Sequence, residues 1–207
     1  MLSFENYKKQ FGSTTIIGIP MLQLPHDIYW LKGENGSGKT TLIKSISGLI
    51  PFDGRITVAG DDIRTNRIAY TSAVNYAEAE PAYPGFLTGT DLISFYAQTK
   101  KGTAQQTKEL VDSLGIAAYA GNKTGTYSSG MAKKLSLVLG FLGQPKLILL
   151  DEPLITLDQQ SVKALQSLIQ QYYASGVSFL ITSHQEITFE SLSPTRLLIK
   201  DKTLITA

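Results

Sequence analysis

The chain has 207 residues, with 19 Lys and Arg against 17 Asp and Glu and no cysteine. That length suits one domain with a real core, 43% hydrophobic and 17% charged residues exclude a disordered chain, and the lack of cysteine excludes disulfides, thiolate zinc sites, iron–sulfur clusters and a cysteine nucleophile. A formal net charge of +2 makes no electrostatic case for a nucleic-acid partner. The longest apolar stretch, Leu135–Gly143, is broken by Ser136 and two glycines and falls short of the roughly 18 residues that cross a bilayer.

In chain order, the opening MLSFENYKKQFG carries charge with no apolar stretch after it, so no secretory signal is expected. Residues 1–75 alternate short apolar runs with turn residues. LSFENY, Ile28–Leu31 and Gly54–Val58 read as strands bounded by Gly, Pro and Asp. One helix interrupts them from Lys39 to about Leu49, with Leu42, Ile43, Ile46 and Leu49 at helical spacing. From about Thr88 to Phe141 the pattern is helical: Leu92, Phe95 and Tyr96 share one face, and Leu110, Val111 and Leu114 another that stops at Gly115. A third helix spans about Met131–Leu142. Beyond residue 146 come the strand LILLD, a helix near 160–173, the strand VSFLITS and a hairpin-like pair around RLLIK and TLIT. Apolar runs separated by helices argue for a mainly parallel α/β sheet. The expected organisation is one domain over 1–207, with an α/β core from 1–80 and 146–207 and a helical insertion at about 81–145.

Gly33-Glu34-Asn35-Gly36-Ser37-Gly38-Lys39-Thr40 matches G-x-x-x-x-G-K-[ST]. A strand runs in and a helix runs out, as the phosphate-loop mechanism requires. Glycines let backbone N–H groups curl around phosphate oxygens, and the helix N-terminus adds partial positive charge. Lys39 then neutralises phosphate and the Thr40 hydroxyl ligates Mg²⁺. Gly33, Asn35, Gly36, Ser37, Gly38, Lys39, Thr40 and Thr41 are therefore candidate nucleotide-binding residues.

The strand Leu147–Leu150 ends in Asp151 and Glu152. Ligands of parallel sheets bind beyond the C-terminal strand ends. Asp151 is placed to hold Mg²⁺, and Glu152 to polarise an attacking water as general base. Alone, such an acidic pair reads equally well as a solvated turn; the phosphate loop gives it weight.

Together these residues resemble the ATPase subunit of ABC transporters, over about residues 2–200. Tyr127-Ser128-Ser129-Gly130-Met131 is similar to the family's L-S-G-G-Q signature, although by itself it reads as a helix N-cap loop. The resemblance implies a P-loop NTPase fold of the ABC ATPase type, with N-terminal antiparallel strands and a helical subdomain. It implies ATP and Mg²⁺ as ligands, and a head-to-tail pair of subunits. In that pair each ATP lies between one phosphate loop and the partner's Ser128, Ser129 and Gly130. It further implies that Asp158 contacts the opposite subunit and that His184 reaches the γ-phosphate. Phe11 would sit under the adenine ring, its other reading being a core aromatic. Catalysis would fall to Glu152, His184 and Lys39.

The sequence departs from the family where a metal-ligating Gln is usual: Tyr76-Ala77-Glu78-Ala79-Glu80 has none. Glu80 or Glu78 is a substitute carboxylate ligand, with a solvated acidic loop as the alternative. Ser129 and Thr156 stand where glycines are common, and each restricts a loop that glycine leaves free. The resemblance to compact exporter subunits, including the haem-exporter ATPase of cytochrome c maturation, implies an energy-coupling ATPase. Its partners would be a second such subunit and a separate transmembrane permease, at the inner face of the cell membrane. A non-transport ATPase acting on ribosomes or DNA, and a nucleotide-binding module with weak turnover, are the competing readings.

Overall fold

The computed structural model describes residues 1–184, 188–189 and 192–206. The elements are β1 (Leu2–Phe11), β2 (Thr14–Leu24), β3 (Ile28–Lys32), α1 (Lys39–Ile46), β4 (Asp53–Val58), β5 (Asp61–Asp62), α2 (Arg67–Ala73), β6 (Val74–Ala77), α3 (Gly89–Lys100), α4 (Ala104–Ser113), α5 (Ser129–Phe141), β7 (Leu147–Asp151), α6 (Gln159–Ala174), β8 (Ser178–Thr182), β9 (Thr195–Lys200) and β10 (Thr203–Thr206).

Two sheets form. The N-terminal sheet, β2-β1-β4-β5, is antiparallel throughout. Its first strand changes phase midway: Leu2 and Phe4 are buried, then Tyr7 and Lys9. The cause is a bulge at Asn6, whose left-handed φ of 51° goes with a register shift against β4. Gly54 lies opposite; a Cβ there would stand 2.0 Å from the Asn6 carbonyl oxygen.

The second sheet has the order β10-β9-β3-β8-β7-β6, parallel from β9 through β6, with β10 added antiparallel. β7 and β8 are buried along their whole length, as strands covered on both faces must be. Alternate residues divide between two cores. Leu147, Leu149 and Leu180 pack with α1 and the antiparallel sheet, whereas Ile148, Leu150, Phe179 and Ile181 pack with α5, α6 and the helical segment. The insertion helices thus bury Leu92, Leu110 and Leu114 in the same core as the sheet's second face.

Several local expectations shift. α1 stops at Ile46 because Gly48, at φ 78°, turns the chain, and Leu49 is left exposed. On α3 the buried pair is Leu92 and Ile93, while Phe95 is 63% exposed. The pattern of residues 67–77 hid α2 and β6, since β6 is only four residues long and carries a polar Asn75. That side chain is buried and donates to the carbonyls of Gly140 and Leu142 at 3.0 and 2.7 Å, tying β6 to the end of α5.

Candidate nucleotide and catalytic site

The C-terminal ends of β3, β7 and β8 lie side by side, so the loops that leave them meet at one edge of the sheet. From β3 the chain enters the phosphate loop. Gly36 and Gly38 take φ of 79° and 105°, which L side chains rarely adopt. A Cβ on Gly38 would also press Ile16 at 3.0 Å. Inside the loop the Ser37 hydroxyl oxygen is buried without a hydrogen-bond partner. The Lys39 ammonium folds back to donate to the carbonyls of Gly33 and Glu34 at 2.8 and 3.0 Å. Curled backbone, an unpartnered hydroxyl and a cation resting on carbonyls fit a polyphosphate chain. Asn35 is exposed at the loop's crest, and Thr41 begins the turn of α1 whose carbonyl accepts from Ser45.

Asp151, 1% exposed, ends β7. Its Oδ1 accepts from the Thr182 hydroxyl at 2.6 Å and the Thr40 hydroxyl at 3.4 Å, and its Oδ2 from the Tyr76 hydroxyl at 3.4 Å. Burial first, then the charges of Asp151 and Glu78, raises the Tyr76 phenol far above its ordinary pKa, so it stays a donor. The fold therefore joins Thr40 to Asp151 although they are 111 residues apart.

Glu152 follows with φ 44°, left-handed for a residue with a side chain. Its backbone N–H is shared by the carbonyl and hydroxyl oxygens of Thr182, each at 3.0 Å. Its carboxylate accepts the backbone N–H of His184 at 3.2 Å and faces that residue's Nε2 at 3.5 Å. Ser183, just before it, presents its carbonyl to the Trp30 indole N–H at 3.1 Å, so β3 also helps hold the His184 turn.

The Ser128 hydroxyl caps α5 by accepting from the Met131 N–H at 3.2 Å, and Ser128 and Ser129 are exposed. Gly130 packs on the turn after β7: a Cβ would stand 2.9 Å from the Thr156 carbonyl oxygen. Asp158 is engaged within its own chain. It caps α6 through the Ser161 N–H at 2.8 Å and pairs with Lys134 at 2.6 Å. These contacts, the Lys134 hydrogen bond foremost, hold its carboxyl well below the usual range. Thr156, at the glycine position, takes φ 67° and bears the strain of it, whereas Ser129 is simply helical.

Phe11 is 55% exposed at the end of β1, which removes the core reading, and one ring face has the Lys9 ammonium 4.5 Å from its centroid. A cleft of about 810 Å³, lined by Thr14, Ile16, Gly33, Ser37 and the β9–β10 turn, adjoins the loop, but Phe11 does not line it. Glu78 is half-buried and Glu80 exposed.

Three residues at this edge escaped the sequence reading: Thr182, Tyr76 and Lys133. Lys133 lies on α5, 1% exposed, and donates to the carbonyls of Glu78, Ala79 and Asp151 at 2.7, 2.8 and 3.0 Å. Burial pushes its ammonium down to about 8, against the opposing pull of Asp151, Glu152, Glu80 and Glu78. The available signal was Thr182, a polar residue ending an apolar strand two positions before His184.

Comparison with known proteins supports the same picture. The sequence profile described as ABC transporter matches residues 23–155. The linearmycin resistance ATP-binding protein LnrL of Bacillus subtilis (strain 168) is 31% identical over 197 residues, covering 91% of this chain; this chain spans 63% of that relative's length. Among solved structures, an ATP binding subunit of an ABC transporter superposes with a TM-score of 0.90 at 21% identity, covering 100% of this chain and 89% of its own. The ATP-binding cassette MJ0796, a dimer in a post-hydrolysis state bound to ADP and Pi, gives 0.81 at 16%, covering 99% and 96%. With its fold, its phosphate loop and a profile match across well over half its length, the chain belongs to the ABC transporter family, as an ATP-binding subunit.

Proposed function

We propose that this chain binds and hydrolyses MgATP to drive a membrane exporter, working as a pair of subunits bound to a separate permease. One observation carries the hydrolytic part: Lys39, Thr40, Asp151, Glu152 and His184 converge at one sheet edge, linked through Asp151 and through the Glu152–His184 contact. The Lys39 ammonium exchanges its two carbonyl partners for phosphate oxygens, and the glycine-lined N–H groups complete the cradle. Thr40 and Asp151 hold Mg²⁺, with Glu80 the third protein oxygen of this reading. Bound there, Mg²⁺ neutralises phosphate charge. Glu152 takes the proton of the attacking water, and His184 keeps its carboxylate aimed. Phe11 stacks on the adenine with the ring face opposite Lys9.

Among the described residues no group of three or more His, Cys, Asp or Glu side chains converges as a metal cage. In this reading the cation is held mostly by phosphate and water, the usual manner of Mg²⁺. The partner's Ser128–Gly130 loop closes the second side of the nucleotide, which fits its exposure here and the dimeric MJ0796 assembly. The name of the linearmycin resistance relative supports the export direction, and attachment at the inner face of the cell membrane follows from the permease. No helix among the described residues is long and apolar enough to cross a membrane. Nucleic acid has no part in this reading.

The test is phosphate release. The wild type turns over MgATP, while Lys39→Ala and Glu152→Gln each lose about a hundredfold or more in kcat; equal turnover in all three overturns the reading. Glu80→Ala raises the Mg²⁺ needed for half-maximal rate, and an unchanged Mg²⁺ dependence removes Glu80 from the metal set. Purification from solubilised membranes recovers a multi-span protein as partner; a ribosomal or DNA-repair partner in its place refutes the transport role.

A further inference from the structure

Lys133 has no part in the chemistry above, yet it is among the most completely buried side chains in the molecule. Its three N–H donors are matched by three carbonyls, those of Glu78, Ala79 and Asp151. β6 and β7 are parallel neighbours, with Ala77 opposite Leu150. The ammonium therefore caps two adjacent strand ends where the ladder runs out of donors. The negative charges of Asp151, Glu152, Glu80 and Glu78 favour its charged form and offset part of the cost of burying it.

The Asp151–Glu152 peptide is thus held on both sides. Its carbonyl accepts from Lys133, and its N–H donates to Thr182. This peptide leads into the left-handed Glu152, a conformation that persists only where surrounding contacts over-determine it. Three residues along α5, the Ser136 hydroxyl accepts the Glu78 N–H at 3.2 Å, so the same helix grips the acidic loop by N–H and carbonyl alike. α5 begins at the Ser128 cap. One side chain accordingly connects the helix that starts at Ser128, the strand end bearing Glu152 and the acidic loop of Glu78 and Glu80.

We propose that Lys133 is a positioning residue: by fixing the Asp151–Glu152 peptide to α5, it sets the direction of the Glu152 carboxylate and ties it to the placement of the signature loop. This rests on the reading of Glu152 as general base.

The test compares wild type, Lys133→Met, Lys133→Arg and Glu152→Gln for phosphate release, binding of a fluorescent ATP analogue and thermal melting. Lys133→Met is expected to keep analogue affinity within about threefold while kcat falls about tenfold or more, and Lys133→Arg to recover most of that loss. If Lys133→Met does not melt cooperatively, Lys133→Gln, with two N–H donors on a shorter stem, is expected to fold and to show the same split in milder form. Full kcat in a folded Lys133→Met or Lys133→Gln, or a parallel loss of affinity and kcat that arginine does not rescue, overturns the proposal. If instead the wild type is inactive or Glu152→Gln matches it, the general-base reading falls, and the positioning role with it.

Discussion

At the scale of single residues, the site works through backbone constraints as much as through side-chain chemistry. Glu152 and Thr156, four positions apart, both adopt left-handed φ, at 44° and 67°. For Glu152 the neighbouring contacts from Thr182 and His184 aim a carboxylate. The Thr156 hydroxyl donates to the carbonyl of Ile155, its neighbour in the chain. A left-handed β-branched residue costs about 1–2 kcal/mol, and replacement by glycine gives back part of that through the flexibility of the unfolded chain. Thr156→Gly is accordingly expected to raise stability by up to about 1 kcal/mol, read by urea denaturation. A clear loss of stability shows that Thr156 is held by something other than its turn.

At the scale of elements, the four longest helices each start on a side-chain cap: Thr88 for α3, Thr103 for α4, Ser128 for α5 and Asp158 for α6. Two of these caps, Ser128 and Asp158, are also residues of the proposed partner-facing loops, so in that reading the anion-receptive end of a helix and the site's periphery coincide. The end of α3 shows a different device. The Lys100 ammonium donates to the carbonyls of Thr71 and Val74, joining α3 to the α2–β6 junction, and burial pushes it down to about 8 from 10.5. Between those two values the unfolded chain holds the proton and the folded chain does not, so this group makes stability rise with pH there. Below about 8 both states are protonated and its burial penalty is fully present. The melting temperature of Lys100→Met is therefore expected to rise less than that of wild type from pH 8 to 10. Parallel curves show that Lys100 titrates normally.

At the scale of the whole molecule, a single chain presents a phosphate loop and, in the proposed reading, a signature loop, and the Glu152 carboxylate is already held in isolation by its contacts with His184. In the proposed mechanism closure then needs only a second copy, with ATP as the bond between them. Glu152→Gln, which retains the nucleotide, is expected to migrate as a dimer with MgATP and as a monomer without it. A monomer under both conditions argues against ATP-driven pairing.

Much of this was legible in the sequence. The phosphate loop, the Asp151–Glu152 strand end and the α/β class follow from local pattern, because glycine torsions and strand burial are short-range properties, whereas His184 was singled out only by the family resemblance. What only the tertiary structure decided is who meets whom across the sheet. Thr182 facing Asp151, Trp30 reaching the Ser183 carbonyl and Lys133 spanning β6 and β7 join residues from 18 to 153 positions apart. Such pairings depend on strand order and register, which a run of apolar residues does not encode. The same holds for Leu49 and Phe95, whose spacing suits a helix face but which no other element covers. Periodicity states which side of an element is apolar; only packing determines what lies against it.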